Sequence, residues 1–208
     1  GEQYDWFGKN TYLLQTAEFD DFNNGVDIIL VQEKKEGEKY YSTGISIDVT
    51  TDTTTALKEK IQKSIERING EKPPHRLKYF QDEKTDDKGS LNNIVPIVLG
   101  LEKENAKRLI LECFEREEGQ KEKKEIENHP CSIVFLREME IQLTVYQEIL
   151  KNKNNSKIPG LEAKVFELLT AVQKLLAKKE PTEKEEKTQK LLQQDRVYNA
   201  ILKRFERK

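Results

Sequence analysis

The stretch VDIILVQEKKEGEKYYSTGISIDVT, residues 26–50, decides the fold of this chain. Residues 26–35 and 40–51 are dense in β-branched and aromatic side chains, the composition of strands. Between them stands Glu36-Gly37-Glu38-Lys39. Gly37 supplies the positive φ that the first central position of a type II′ turn requires, so a two-residue hairpin loop is expected. That turn fixes the register: Glu36 faces Lys39, and counting back sets Asp27 directly opposite Asp48. One face then carries Val26, Ile28 and Leu30 with Ile45, Ile47 and Val49, as a buried sheet face requires. The other carries Asp27, Ile29 and Val31 with Gly44, Ser46, Asp48 and Thr50.

Directly opposed carboxylates, with Cβ atoms roughly 5 Å apart, repel one another. A proton, a basic side chain or a divalent cation relieves the repulsion. Mg²⁺ suits such a pair, because it takes carboxylate oxygens and keeps waters that phosphate can replace. The plainer alternative is that both acids are solvated at the open end of the hairpin.

Working outward, residues 11–19 read as a short helix, and no strand is evident before Asp27. Downstream, Thr53 or Thr54 caps a helix through about residue 69, with Leu57, Ile61, Ile65 and Ile68 as its apolar stripe and Gly70 as its stop. Pro73-Pro74 breaks the chain before a short strand at 76–81 and a polar loop at 82–90. Residues 94–101 form a continuous apolar run, a buried strand whose Pro96 points to an edge or a bulge.

Beyond residue 102 the pattern is helical. A first helix places Ala106, Leu109, Ile110, Cys113 and Phe114 on one face. Residues 115–128 are a charge run, read as a loop or a solvated helix extension. A helix from Pro130 to about residue 150 turns Leu136, Leu143, Tyr146 and Leu150 inward. A helical hairpin over 158–207 follows, its second arm starting at Thr182 with Glu185 completing a capping box. The expected fold class is therefore α+β, with a small mixed sheet flanked by helices. The core spans 1–117 and a helical region spans 118–208.

Hydrophobic residues make up 35% of the 208 and charged residues 36%, which suits amphipathic helices with solvated outer faces. Residues 1–100 carry 13 Lys and Arg against 18 Asp and Glu, a net of −5; residues 101–208 carry 23 against 20, a net of +3. Any phosphate-binding surface is therefore local. Cys113 and Cys131 lack zinc-knuckle spacing and fit a reduced compartment. No apolar stretch of about 18 residues and no signal-peptide pattern is present, so the expectation is a cytoplasmic protein without a membrane span. The chain begins at Gly1, leaving room for natural sequence upstream.

His75 and His129 each neighbour a proline and read as loop or capping residues. Pairing His129 with Cys131 as a nucleophile dyad has nothing but sequence proximity behind it. No glycine-rich phosphate loop occurs. The Lys-rich stretches at 174–187 and 203–208 are interleaved with Glu and read as solvated faces. Trp6, with Tyr4 and Phe7, reads as an anchor for the N-terminal segment, with base stacking as its second use.

Three stretches carry a family pattern: Glu18-Phe19-Asp20-Asp21, then Asn23-Asn24-Gly25-Val26-Asp27, then Gly44-Ile45-Ser46-Ile47-Asp48-Val49-Thr50. With the helix and strand that follow, residues 11–101 resemble the PD-(D/E)XK nuclease superfamily, whose core runs α-β-β-β-α-β. The resemblance implies a restriction-endonuclease-like core that hydrolyses phosphodiester bonds of DNA or RNA with Mg²⁺ or Mn²⁺. It implies Asp27 and Asp48 as the two motif acids and the Val49 carbonyl as a metal ligand. Glu18 would be the extra acid, with Asp20 or Asp21 as substitutes. The pattern departs at Thr50, where the family carries Lys. A hydroxyl positions a water or a metal ligand but brings no positive charge. Lys58, Lys60 or Lys78 is expected to supply it, with Lys78 the preferred residue. The competing expectation is a catalytically inactive nuclease-like module. Such a module would bind nucleic acid or present its C-terminal helices to a protein partner.

Overall fold

Three strands run antiparallel in chain order: β1 (Thr11–Gln15), β2 (Ile28–Glu36) and β3 (Lys39–Thr50). The computed structural model describes residues 6–7, 11–15, 28–36, 39–81, 88–119, 123–152 and 158–205. The hairpin register is the expected one, with Glu36 opposite Lys39 and Ile28 opposite Ile47. Helix α1 (Thr55–Ile68) then leads to β4 (His75–Gln81) and β5 (Lys88–Gly100). The sheet order is β1-β2-β3-β5-β4, with β5 parallel to β3 and β4 antiparallel to β5.

Residues 11–15 are thus a strand, where the sequence pointed to a helix. Five residues are too few to display a period, and pairing with β2 from Gln15–Ile28 to Thr11–Gln32 decides their conformation. The middle of the sheet is buried on both faces. Leu30, Ile45 and Ile47 are buried on one side, and Ile29, Val31 and Ser46 on the other. Val49, expected inside, is 48% exposed at the end of β3.

Pro96 lies within β5, opposite Ser46 of β3. Backbone N–H groups at Val98 and Gly100 point away from β3, so Pro96 turns its missing donor to that same side. The β4 ladder stops at His75–Ile94, so beyond it this side of β5 is a free edge and a proline there breaks no ladder bond.

Seven further helices follow among the described residues: α2 (Lys103–Glu117), α3 (Lys123–Glu127), α4 (Pro130–Asn152), α5 (Leu161–Lys178), α6 (Glu180–Glu183), α7 (Glu186–Gln194) and α8 (Arg196–Phe205). The charge run thus holds the end of α2 and all of α3. The second arm of the hairpin is divided. Thr182 is buried within α6 rather than capping, and Asp195 interrupts the arm between α7 and α8. Asp195 is fully buried and caps α8, accepting at Oδ1 from the N–H groups of Val197 and Tyr198, both at 3.0 Å.

One apolar core runs across the expected boundary at 117/118. It joins Leu30, Ile45 and Ile97 of the sheet to Ile61 of α1, Leu143 of α4, Val165 of α5 and Ile201 of α8. A smaller cluster gathers Trp6, Leu101, Ile126 and Cys131. Trp6 anchors there, its Nε1 donating to the Ile126 carbonyl at 2.7 Å. No helix among the described residues is long and apolar enough to cross a membrane.

Candidate active site

The end of β3 gathers the polar groups the sequence singles out. Leu57, Ile61, Ile65 and Ile68 pin α1 to the core, and Lys60 lies at the margin of that stripe. Side chains on a helix lean toward its N-terminus, so Lys60 reaches back toward the strand that precedes α1. Its ammonium donates to Asp48 Oδ1 in a short ion pair and to the Val49 carbonyl at 3.0 Å. Both partners of the ion pair are 29% exposed, so it contributes on the order of 0.5 kcal/mol. Its interest is geometric: a carboxylate oxygen and the next backbone carbonyl converge on one cation.

Thr50 is buried, and its hydroxyl accepts the Asp52 N–H at 3.1 Å. Asp52 in turn accepts from the Thr54 N–H at 2.9 Å and from its hydroxyl at 2.6 Å. The Thr54 hydroxyl bond, followed by its backbone N–H, holds the Asp52 carboxyl below its ordinary range. Thr54 occupies the cap position of α1 but makes no side-chain cap bond, because its hydroxyl is committed to Asp52. These bonds shape the turn that aims α1, and with it Lys60, at Asp48.

The structure separates Lys78 from Asp48, Val49 and Thr50. Lys78 lies in β4, beyond β5 from β3, and its neighbour Leu77 pairs with Leu91 while Asp48 pairs with Val98. Seven residues along β5 (98 less 91) amount to roughly 23 Å at 3.3 Å per residue, far more than a lysine spans. Lys60, not Lys78, is the lysine at Asp48. Lys58 is exposed on α1. Glu18, Asp20, Asp21 and Asp27 lie outside the described residues, so the opposed pair is represented here by Asp48 alone. Among the described residues no group of three or more His, Cys, Asp or Glu is placed to hold a metal ion.

Behind the site, two side chains of α4 serve as a substitute strand for the free edge of β5. Gln142 Nε2 donates to the Val98 carbonyl at 2.7 Å, and its Oε1 accepts the Val98 N–H at 2.9 Å. One turn earlier Glu138 Oε2 accepts the Gly100 N–H at 2.9 Å. Val98 and Gly100 stand abreast of Asp48 and Thr50. Glu138 is fully buried, and burial pushes its carboxyl well up from its ordinary range, against the opposing pull of the Gly100 N–H. The sequence showed this pair only as Glu and Gln spaced i, i+4 beside an apolar stripe.

His75 opens β4, and its Nδ1 and Ser46 Oγ share a 2.6 Å hydrogen bond, both residues buried. It is therefore an interior bridge across β5 rather than a loop residue. Burial and the nearby Arg67 guanidinium push its imidazole down to about 3, so it is neutral. His129 caps α4, Nδ1 accepting the Cys131 N–H at 3.1 Å, and its ring stacks on Trp6 at 6.3 Å. Burial pushes the Cys131 thiol up to about 12, which leaves no thiolate for nucleophilic chemistry. A cleft of about 930 Å³ adjoins His129 between α2 and α7. Its wall mixes Arg108, Lys187 and Lys190 with Glu112 and Glu125, and it contains none of the β3 residues.

Comparisons with family models, with curated proteins and with solved structures found no match.

Proposed function

We propose that this chain is a divergent metal-dependent nuclease of the restriction-endonuclease-like type, acting at the end of β3. The observation that carries the reading is the convergence of Asp48 Oδ1 and the Val49 carbonyl on one cation. Those two oxygens are part of the donor set the family resemblance assigns to a divalent ion, alongside Asp27 and Glu18, and the Lys60 ammonium acts as a stand-in at them. Hard oxygen donors of this kind fit Mg²⁺ or Mn²⁺. Asp27 is proposed as the third ligand, because the hairpin register that sets it opposite Asp48 in sequence holds as far as Ile28–Ile47. Glu18 is proposed as a further acid on the family resemblance alone. The run of three strands followed by α1, with β5 beside and parallel to β3, supports the same assignment, although β4 stands between α1 and β5 where the family core has no strand.

When bound, the ion supplies Lewis-acid stabilisation of phosphate charge. Displaced from the Asp48 and Val49 oxygens when an ion binds, Lys60 would remain on α1 beside β3 and supply the positive charge that Thr50 lacks, for charge developing on a scissile phosphate. Thr50 and Asp52 hold the turn that orients α1. The attacking water forms a new P–O bond and releases its proton to solvent, and the leaving alkoxide takes a proton from solvent as its own P–O bond breaks. DNA or RNA is the proposed substrate.

The Asp48–Lys60 pair also favours a second reading. It is a self-sufficient ion pair, as an inactive nuclease-like module would keep. Thermal unfolding with and without millimolar Mn²⁺ separates the two. A ligand that binds only the folded state raises the midpoint by mass action. The nuclease reading predicts a rise that Asp48→Asn abolishes; an unchanged midpoint in the unmodified protein contradicts it.

A further inference from the structure

Helix α2 contributes no buried residue to the protein. Its inner side rests on the smaller apolar cluster through Ala106, Leu109 and Cys113, all partly buried. Ile110 and Phe114, which the sequence grouped with that inner side, point outward instead. They and Leu111 are 55%, 59% and 62% exposed. Residues 110, 111 and 114 are neighbours on a helix surface, so they form one continuous apolar patch. Single exposed apolar residues are ordinary, whereas a contiguous patch of three large ones marks an interaction surface.

The charges around the patch specify what covers it. Toward the N-terminus of α2 the exposed residues include Lys103, Lys107 and Arg108; at the C-terminus Glu117 and Glu118 are exposed. The exposed acid within the basic end, Glu104, is paired with Lys107 at 2.9 Å. The face therefore reads basic, apolar, acidic. Rotated about a two-fold axis through Ile110 and Leu111, it meets its own complement, apolar on apolar and basic end on acidic end. An isologous contact between identical chains requires this property of a surface. We propose that α2 is a homodimer interface, packing antiparallel against α2 of a second copy. The inference stands on α2 alone and is independent of the nuclease reading.

Sedimentation of the full chain over a wide dilution series tests it, with three variants each shown to melt cooperatively. The unmodified protein is expected to pass from monomer to dimer, and Leu111→Asp to remain monomeric. The double variants Lys103→Glu/Lys107→Glu and Glu117→Lys/Glu118→Lys are each expected to be monomeric alone and to form a heterodimer when mixed in equal amounts. A monomeric unmodified protein throughout, a dimer that survives Leu111→Asp, or a mixture that stays monomeric would each overturn the proposal. The first of these outcomes would leave the patch to a different partner.

Discussion

Gln142 closes both backbone hydrogen bonds of Val98, donating to its carbonyl and accepting from its N–H. Val98 is fully buried and has no β4 partner, because the β4 ladder ends at Ile94. Gln142→Met keeps the side-chain volume but strands a buried donor and a buried acceptor. The expected loss is about 2–6 kcal/mol, from roughly 1–3 kcal/mol for each unsatisfied group. Urea unfolding of the two proteins measures it; a loss under about 1 kcal/mol would show that water reaches Val98.

Glu138 couples the same edge to pH. Burial raises its folded-state carboxyl, so the folded chain binds a proton that the unfolded chain releases. Its destabilising effect is absent below the ordinary carboxylate range and grows as pH rises above it. Glu138→Gln mimics the protonated acid and preserves an acceptor for Gly100. The variant is expected to melt higher than the unmodified protein at pH 8 and to converge with it near pH 4. A constant difference across that range would contradict the ionisation argument.

His75 acts in the opposite sense. Its folded-state imidazole is pushed down to about 3 from 6.5, so the unfolded chain binds the extra proton. The stability it contributes is complete above about pH 6.5 and is lost as pH falls toward 3, a change of roughly 5 kcal/mol for a shift of this size. His75→Leu is expected to flatten that acid limb in a series of unfolding curves from pH 7 to pH 4. Parallel limbs would place the acid sensitivity elsewhere.

The sheet was legible where local chemistry decides it. The observed β2–β3 register, with Glu36 opposite Lys39, is the one the sequence predicts, and the spacing of Leu57, Ile61, Ile65 and Ile68 fixed α1; Gly37 and Glu38 lie outside the described residues. What escaped depends on contacts between distant residues. β1 is a strand because β2 pairs with it, and Pro96 is tolerated because β4 stops short. Ile110 and Phe114 share a helix with Ala106 and Leu109, but three-dimensional packing turns them to solvent. At the candidate site, Asp48 was singled out by the hairpin register and Val49 by the family resemblance alone. Choosing Lys60 over Lys78 was not legible, because it needs the strand order that inserts β5 between β3 and β4.

That choice predicts a contrast between lysines. Lys60→Met is expected to cut phosphodiester hydrolysis about 10²–10³-fold, the usual effect of removing one stabilising group at developing charge. The same change should alter stability by less than about 1 kcal/mol, as for other partly exposed ion pairs. Lys78→Met should leave the rate within about twofold if the site lies at β3, since a surface change away from the chemistry moves little. Steady-state rates on a labelled oligonucleotide measure both; comparable losses in the two variants would contradict the placement of the site.

The account turns on Asp48 as an oxygen donor at the end of β3. Its most direct test is cleavage of labelled single- and double-stranded DNA and RNA in Mg²⁺ or Mn²⁺ by the unmodified protein and by Asp48→Asn, purified identically. The account predicts metal-dependent cleavage by the first and at least a hundredfold slower cleavage by the second, roughly the cost of losing one essential group. Equal rates from the two proteins, or no cleavage by either, would contradict it.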